Sequence, residues 1–197
     1  MATNRLLVLG AVRILQPVHG YLVRRELLSW HAEDWAHLNP GSVYNAMRTL
    51  TREGYLEAVG TEAQGGRPAR TTYRLTPEGN GEFLSEVRAM LWNIAPHAPD
   101  ELHAAWSFSW ALTREEVAAA LEHRLEQIAA ATRHIGFAIE DFKSDPSKPP
   151  HVVEHLRLVI ARLQGEATWD RATIERLAKG EYWFSGEPDP PWPGADG

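Results

Sequence analysis

The chain of 197 residues contains no cysteine. That excludes disulfides and thiolate metal ligands and suits a reducing compartment. No apolar run approaches the length of a membrane span, and the N-terminus lacks the layout of a signal peptide. A soluble, cytoplasmic protein with no membrane partner is expected. Positive charge is scarce too: 20 basic residues face 26 acidic ones, a net charge of −6. The deficit is uneven. Residues 1–90 carry ten arginines against nine acids, a balance of +1, while residues 91–197 carry ten basic residues against seventeen acids, a balance of −7. An acidic second half cannot wrap DNA, so any nucleic acid has to be held by the first.

Catalytic groupings are also missing. Gly65-Gly66 lacks the downstream glycine and lysine of a phosphate-binding loop. No Ser/His/Asp order stands out, and Ser107 and Ser109, which flank tryptophans, read as packing residues. His151 and His155 have metal-ligand spacing on one helix, but no third histidine or carboxylate follows in a matching pattern. The chain reads as a non-enzyme, with no catalytic residue, metal or cofactor.

What is present centres on residues 39–55. Asn39 suits an N-cap, Pro40 a first helical turn, and Gly54 a left-handed stop, so a helix is expected over about 40–53. Val43, Ala46, Met47 and Leu50 recur at three- and four-residue steps and predict the buried side. Ser42, Tyr44, Asn45, Arg48, Thr49 and Arg52 form the other side, which holds donors and no acid. A compact helix with such a face fits a major groove, where phosphates and base edges accept hydrogen bonds. An ordinary surface helix would have the same amphipathic pattern, so the flanking segments must decide.

After Gly54 the pattern alternates over residues 56–61 and again over 70–75, which predicts a hairpin. Gln64-Gly65-Gly66-Arg67-Pro68-Ala69 between them is too glycine-rich to be regular and projects Arg67 and Arg70 as a basic tip. A donor-faced helix followed by a basic hairpin is a winged helix-turn-helix, with the helix in the major groove and the tip on backbone or minor groove. Residues 4–15 are apolar almost all round, as a buried first helix requires, and Pro17 ends them. A second helix is expected over about 20–30. His19 and Tyr21 lie at its start, either contacting phosphate or forming a capped turn with Tyr21 partly in the core.

Several spaced segments resemble the signature of PadR-type transcriptional regulators. These are Leu7-Val8-Leu9-Gly10, His19-Gly20-Tyr21, Pro40-Gly41-Ser42-Val43-Tyr44, Leu50, Gly54-Tyr55-Leu56, Gly65-Gly66-Arg67-Pro68-Ala69-Arg70 and Tyr73-Arg74-Leu75-Thr76-Pro77-Glu78-Gly79. They cover the first half densely and in order. At Thr71 and Thr72 the chain departs from the basic residue and tyrosine expected of the family. The resemblance implies a sequence-specific DNA-binding regulator whose helix after the wing leads to dimerisation.

Beyond the wing, Thr76-Pro77-Glu78 opens a helix to about Asn93 with Phe83, Val87, Met90 and Leu91 as a stripe. Asp100 can cap a helix holding Leu102, Trp106, Phe108, Trp110 and Leu112. Thr113-Arg114-Glu115-Glu116 is a capping box opening the longest helix, to about Phe142. Its seam runs Val117, Leu121, Leu125, Ile128, Thr132, Ile135, Ile139 and Phe142, a coiled-coil-like spacing. The last helix, about 151–179, carries Leu156, Ile160, Leu163, Ala167, Ile174 and Leu177. An intrachain hairpin would use these seams; a homodimer is expected because they exceed what one chain covers. The fold class is therefore mainly α, made α+β by the wing. A winged helix-turn-helix with its exit helix spans 1–94, a helical dimerisation domain 95–180 and a flexible tail 181–197.

Trp92, Trp106, Trp110 and Trp169 are core or seam in one reading and a pocket for a planar aromatic effector in the other. The second resembles the way some PadR-type repressors sense phenolics or drugs. The expected DNA contacts are Ser42, Tyr44, Asn45, Arg48, Arg52, Arg67, Arg70, His19 and Tyr21, on a pseudo-palindromic double-stranded operator. A repressor released by a small aromatic effector is the leading reading. A ligand-independent or protein-responsive DNA-binding regulator and a winged-helix protein-interaction module are the alternatives.

Overall fold

The computed structural model describes residues 2–36, 38–62 and 70–188. The chain divides into two compact units, residues 1–89 with 103–108 and residues 90–102 with 109–197. Each has its own interior.

In the first unit, α1 (Ala2–Leu15) is the centre. Leu6, Leu7, Val8, Leu9, Ala11 and Val12 are fully buried, so consecutive side chains, and not a stripe, are covered. Such a helix has to be surrounded. Its neighbours include α2 (Gly20–Ser29), α4 (Pro40–Arg52) and β3 (Arg70–Leu75). A four-residue helix α3 (Ala32–Trp35) follows α2. The expected hairpin is present as β2 (Leu56–Glu62) and β3, with Leu56 opposite Leu75 and an irregularity between Ala58 and Gly60. A two-residue strand, β1 (Val18–His19), adds antiparallel to β3 with Val18 opposite Tyr73, giving the order β1-β3-β2. This is a winged helix.

α4 is joined to α5 (Pro77–Trp92) through the backbone around Gly54, whose φ is 82°. Thr76 Oγ1 donates to the Gly54 carbonyl at 2.7 Å and accepts from the Gly79 N–H at 2.9 Å, capping α5. A Cβ at residue 79 would lie 2.0 Å from the Tyr55 carbonyl oxygen, so only glycine permits this approach. Phe83, Val87, Met90 and Leu91 are all buried. α6 (Asp100–Ser107) ends earlier than the apolar pattern suggests, and a 3-10 turn (Ser109–Ala111) succeeds it. Phe108 leaves the helix to sit edge-on to Phe83, at 5.4 Å, and to Trp30, at 5.9 Å.

Arg5 ties three elements of this unit together. Its Nε donates to Glu86 at 2.6 Å, one terminal nitrogen to Glu82 at 3.0 Å, and the other to Glu53, the C-cap of α4. Burial works against the Arg5 charge, and the hydrogen bonds that Arg5 donates to Glu53 and Glu82, with the charges of Glu86 and Glu53, outweigh it, holding the group above the ordinary arginine range. Glu86 is the most enclosed of the three acids, and its Oε2 has no hydrogen-bond partner. Burial pushes its carboxyl from 4.5 up to about 7, the Arg5 charge pulls back less strongly, and Glu82 and Glu53 add to the rise.

The second unit is built on α7 (Arg114–Ser144) and α8 (Val153–Ala178), which run antiparallel. Thr113 caps α7 by accepting from Glu116 N–H at 3.2 Å. Ile128, Val159, Leu163 and Ala167 form the shared core, with Ile94, Leu125, Ala131 and Ile135 packed on it. α8 does not bury the full expected seam. Leu156, Ile160 and Ile174 are half-buried, while Asp170 and Thr173 are fully buried. Asp170 is matched by Arg124 of α7, itself buried, which faces it at 3.4 Å and Glu166 at 2.6 Å and donates to the Asn93 carbonyl at 2.9 Å. Gln127 adds two bonds to the same stretch, to Ile94 N–H and the Trp92 carbonyl. Residues 181–188, assigned by composition to a flexible tail, are tied to the second unit at Phe184, Ser185 and Glu187. Phe184 is buried, Ser185 N–H donates to the Trp110 and Leu112 carbonyls, and Arg114 pairs with Glu187 at 2.5 Å.

Two outcomes test this account of the first unit. Gly79→Ala improves helix propensity by about 1 kcal/mol, yet the contact with Tyr55 should make the variant less stable by about 1–3 kcal/mol in thermal unfolding. A gain in stability would show that the approach is not tight. Glu86 holds a proton more firmly folded than unfolded. Its contribution is complete below about pH 4.5 and is lost as pH rises through about 7. Glu86→Gln keeps an acceptor for Arg5 and should remove that slope, so that between pH 5 and 8 it gains on the wild type by on the order of 2–3 kcal/mol. Parallel stability curves from denaturant titrations at several pH values would refute the assignment.

Candidate nucleic-acid interface

α4 is fixed at both ends by local chemistry. Asn39 Oδ1 accepts from Ser42 N–H at 2.9 Å and Ser42 Oγ accepts from Asn39 N–H at 3.1 Å, a reciprocal capping box with Pro40 behind it. At the other end Tyr55 N–H bonds the Leu50 carbonyl at 2.9 Å and Gly54 N–H the Thr51 carbonyl at 3.2 Å, the two bonds of a Schellman stop. Val43, Met47 and Leu50 are buried as the periodicity requires, whereas Ala46 is half-buried.

Tyr44, Asn45, Arg48 and Arg52 are exposed along α4. Arg48 donates to Asn45 Oδ1, so these two side chains form a pair whose remaining groups are donors. Arg52 has no hydrogen bond or ion pair among the described residues. The Ser42 hydroxyl is committed to the cap and donates to the Asn39 carbonyl at 2.7 Å, which leaves it little to offer a phosphate.

His19 and Tyr21 come to the same surface as Tyr44. Together with Gly20, Thr71 and Tyr73 they line an open concavity of about 410 Å³. Its floor depends on Gly20, where a Cβ would come within 3.2 Å of Met47 Sδ and 3.4 Å of the Tyr44 ring. The rings of His19 and Tyr21 stack at 6.0 Å. His19 Nδ1 lies 3.3 Å from both the Thr71 carbonyl, which can only accept, and Thr72 Oγ1, which can donate or accept. β1 creates this arrangement by setting His19 opposite Thr72. Nothing in the sequence singled out Thr71 or Tyr73 as walls, because a two-residue strand leaves no periodic trace. The alternation through Tyr73 and its distance from Val18 become linked only in three dimensions.

In the wing, Arg70 opens β3 opposite Glu62. Arg67 and the rest of the tip lie outside the described residues, as do the side-chain positions of Arg70. Arg74 is held across the strands by Glu57 at 2.6 Å.

The four tryptophans are not gathered in one unit. Trp106 belongs to the first, on α6; Trp92, Trp110 and Trp169 belong to the second. All four are half-buried. Trp92 tilts against His123 at 5.7 Å, and the Trp110 carbonyl accepts from Ser185. His155 stacks on His97 at 6.4 Å, and His151 is exposed. Among the described residues no three potential metal ligands converge, and no helix is long and apolar enough to cross a membrane.

Solved structures similar to this chain include three of two PadR-type proteins. A structure of Bacillus subtilis PadR in complex with operator DNA has 19% identity over 88% of this chain and 98% of that one, with a TM-score of 0.39. The PadR-like transcriptional regulator BC1756 from Bacillus cereus has 17% identity over 90% and 99%, with a TM-score of 0.35. Bacillus subtilis PadR in complex with p-coumaric acid has 17% identity over 89% and 99%, with a TM-score of 0.33. Superpositions this loose carry no weight for the position of any residue. A comparison with curated proteins finds no match. Residues 8–85 match the model of the transcriptional regulator PadR-like family, and it is to that family that this segment of the chain is similar.

Proposed function

We propose that this regulator binds a pseudo-palindromic operator as a homodimer, represses transcription, and is released by a small aromatic effector. The observation that carries the DNA reading is the acid-free exposed face of α4, capped at both ends and continuous with the His19, Tyr21 and Tyr44 surface. Asn45 and Arg48 read base edges. Because Asn45 Oδ1 is already occupied by Arg48, the pair offers donors, which suit the two major-groove acceptors of guanine better than the mixed edge of adenine. Tyr44, His19, Tyr21 and Arg52 meet the backbone, with Ser42 at the helix start and Arg67 and Arg70 in the wing. Arg48→Ala should cost about 1–3 kcal/mol and relax the preference at one guanine of each half-site. Arg67→Ala should weaken all sequences alike and reduce the salt slope by about 1. Selection of bound genomic fragments followed by titration measures both, and an Arg48→Ala protein with unchanged affinity and preference would remove α4 from the groove. Binding insensitive to salt would favour a protein-interaction module instead.

The dimer reading is supported by Phe137 and Leu158, two large apolar side chains 71% and 60% exposed on α7 and α8. Half-sites should be about 34–36 Å apart or a multiple of that. The effector reading is supported by the half-buried tryptophans. A planar molecule against Trp92, Trp110 or Trp169, or against Trp106 in the first unit, has to favour the released state by roughly 5 kcal/mol per dimer to empty the operator. Tryptophan fluorescence titrated with phenolic acids and planar dyes, run beside operator release and sedimentation, tests both. Quenching with release is expected, from a dimer. A monomer at micromolar concentration ends the dimer model, and no quenching by any compound leaves a ligand-independent regulator.

A further inference from the structure

α4 has a third side besides the core and the DNA face. With about 100° between successive residues, Val43, Met47 and Leu50 point one way, and Tyr44, Arg48 and Arg52 point away from them. Ser42, Ala46 and Thr49 fall between, on the flank nearest α1, and Asn45 stands where that flank meets the DNA face. On this flank a cavity of about 470 Å³ opens between the helices, lined by Asn4 and Arg5 of α1 and by Ser42, Asn45, Ala46, Thr49 and Leu50 of α4. That volume lies within the range that holds small ligands, roughly 300–1,000 Å³.

We infer that this cavity is a second effector site, which takes a compact neutral molecule with an apolar ring and one hydroxyl or N–H donor, and that its occupant acts directly on the DNA-reading helix. The inference rests on α4 being that helix.

Three observations define the ligand. Leu50, Ala46 and the stem of Arg5 supply an apolar floor, and Ala46 leaves room that a larger residue would fill. Asn4 Oδ1 is closed off from solvent without a hydrogen-bond partner. An enclosed acceptor without a donor is unfavourable, and rotation of the Asn4 amide toward a donor in the cavity relieves it. The guanidinium of Arg5, the cation on this wall, is already shared among Glu53, Glu82 and Glu86. An added carboxylate would meet three negative charges and one committed positive one, so a phenol or an indole fits and an aromatic acid does not.

The route to DNA is short. Asn45 lines the cavity and also holds Arg48 through its Oδ1. A ligand that engages the Asn45 amide changes which donors α4 presents, and it favours the DNA-free state by whatever contact is lost when the pair turns to the groove.

The test uses the intact protein, with phenol, anisole and benzoate as probes. In amide NMR without DNA, phenol should shift Asn4, Ala46 and Thr49 saturably. Benzoate should bind at least about tenfold more weakly, and Ala46→Leu should weaken phenol by about tenfold, or 1.4 kcal/mol. Asn4→Leu, which removes the acceptor at similar size, should erase the preference for phenol over anisole even if Ala46→Leu proves unstable. Absent saturation at these residues, or identical binding by wild type and both variants, overturns the site. Phenol that binds without lowering operator affinity overturns its effect on DNA. Phenol that still binds while Arg48→Ala leaves operator recognition untouched locates the failure in the DNA reading and not in the cavity.

Discussion

One guanidinium governs the first unit. Arg5 stands between the end of α4 and α5, the helix that leaves the wing, bonded to Glu53 of the first and to Glu82 and Glu86 of the second. Burial of the least hydrated carboxylate outweighs the pull of the shared Arg5 charge, which is why Glu86 is raised to about 7. Around the same point Thr76 bonds Gly54, and Gly79 seats on Tyr55. The direction in which α4 faces is thus set by its connections to α1 and α5 as much as by its own apolar side.

The second unit uses the same device with the signs distributed differently. Arg124 is enclosed, and so is Asp170, whose carboxyl burial pushes up to about 6 against the pull of Arg124. The arginine spends its third contact on the Asn93 carbonyl, just past the end of α5. Buried ion pairs add little net stability compared with apolar packing, but they tolerate few alternative alignments of the helices that carry them. The α7–α8 register and the course of residues 92–94 are therefore coupled through one side chain.

The parts of this fold that were legible in the sequence are those whose signals are local. Asn39, Pro40 and Gly54 bound α4 because capping is decided within four residues, and alternation over 56–61 and 70–75 marks a hairpin because pairing follows directly. The parts that were not legible depend on distant partners. β1 is two residues that pair only because Tyr73 and Thr72 arrive opposite them. Asp170 lies in the α8 seam because Arg124 comes from another helix, and apolar periodicity alone selects Ile174 instead. Phe184 and Glu187 look like tail by composition, yet Arg114 holds them through four hydrogen bonds to the chain around them, two to the Glu187 carboxylate and one each to the Glu181 and Tyr182 carbonyls. On the DNA face, the absence of acids was readable, but the pairing of Asn45 with Arg48 and of His19 with the wing strand was not.

The weak positive balance of the first half has a structural sequel. Arg5 is bound by acids, Arg74 by Glu57, and Arg13 lies half-buried over Phe83 with its Nε on Asn80. Arginines used in this way hold the fold and contribute little to a phosphate-attracting field. Non-specific affinity for DNA grows with the number of phosphates neutralised, so each arginine committed in this way lowers the general binding that the first half can offer. On the proposed reading of α4, specific complexes draw on directed hydrogen bonds at the bases and on the joining of two half-sites. A regulator of this kind responds strongly to any change in those few donors, and that makes the flank of α4, where Asn45 meets the cavity, a sensitive place to act on it.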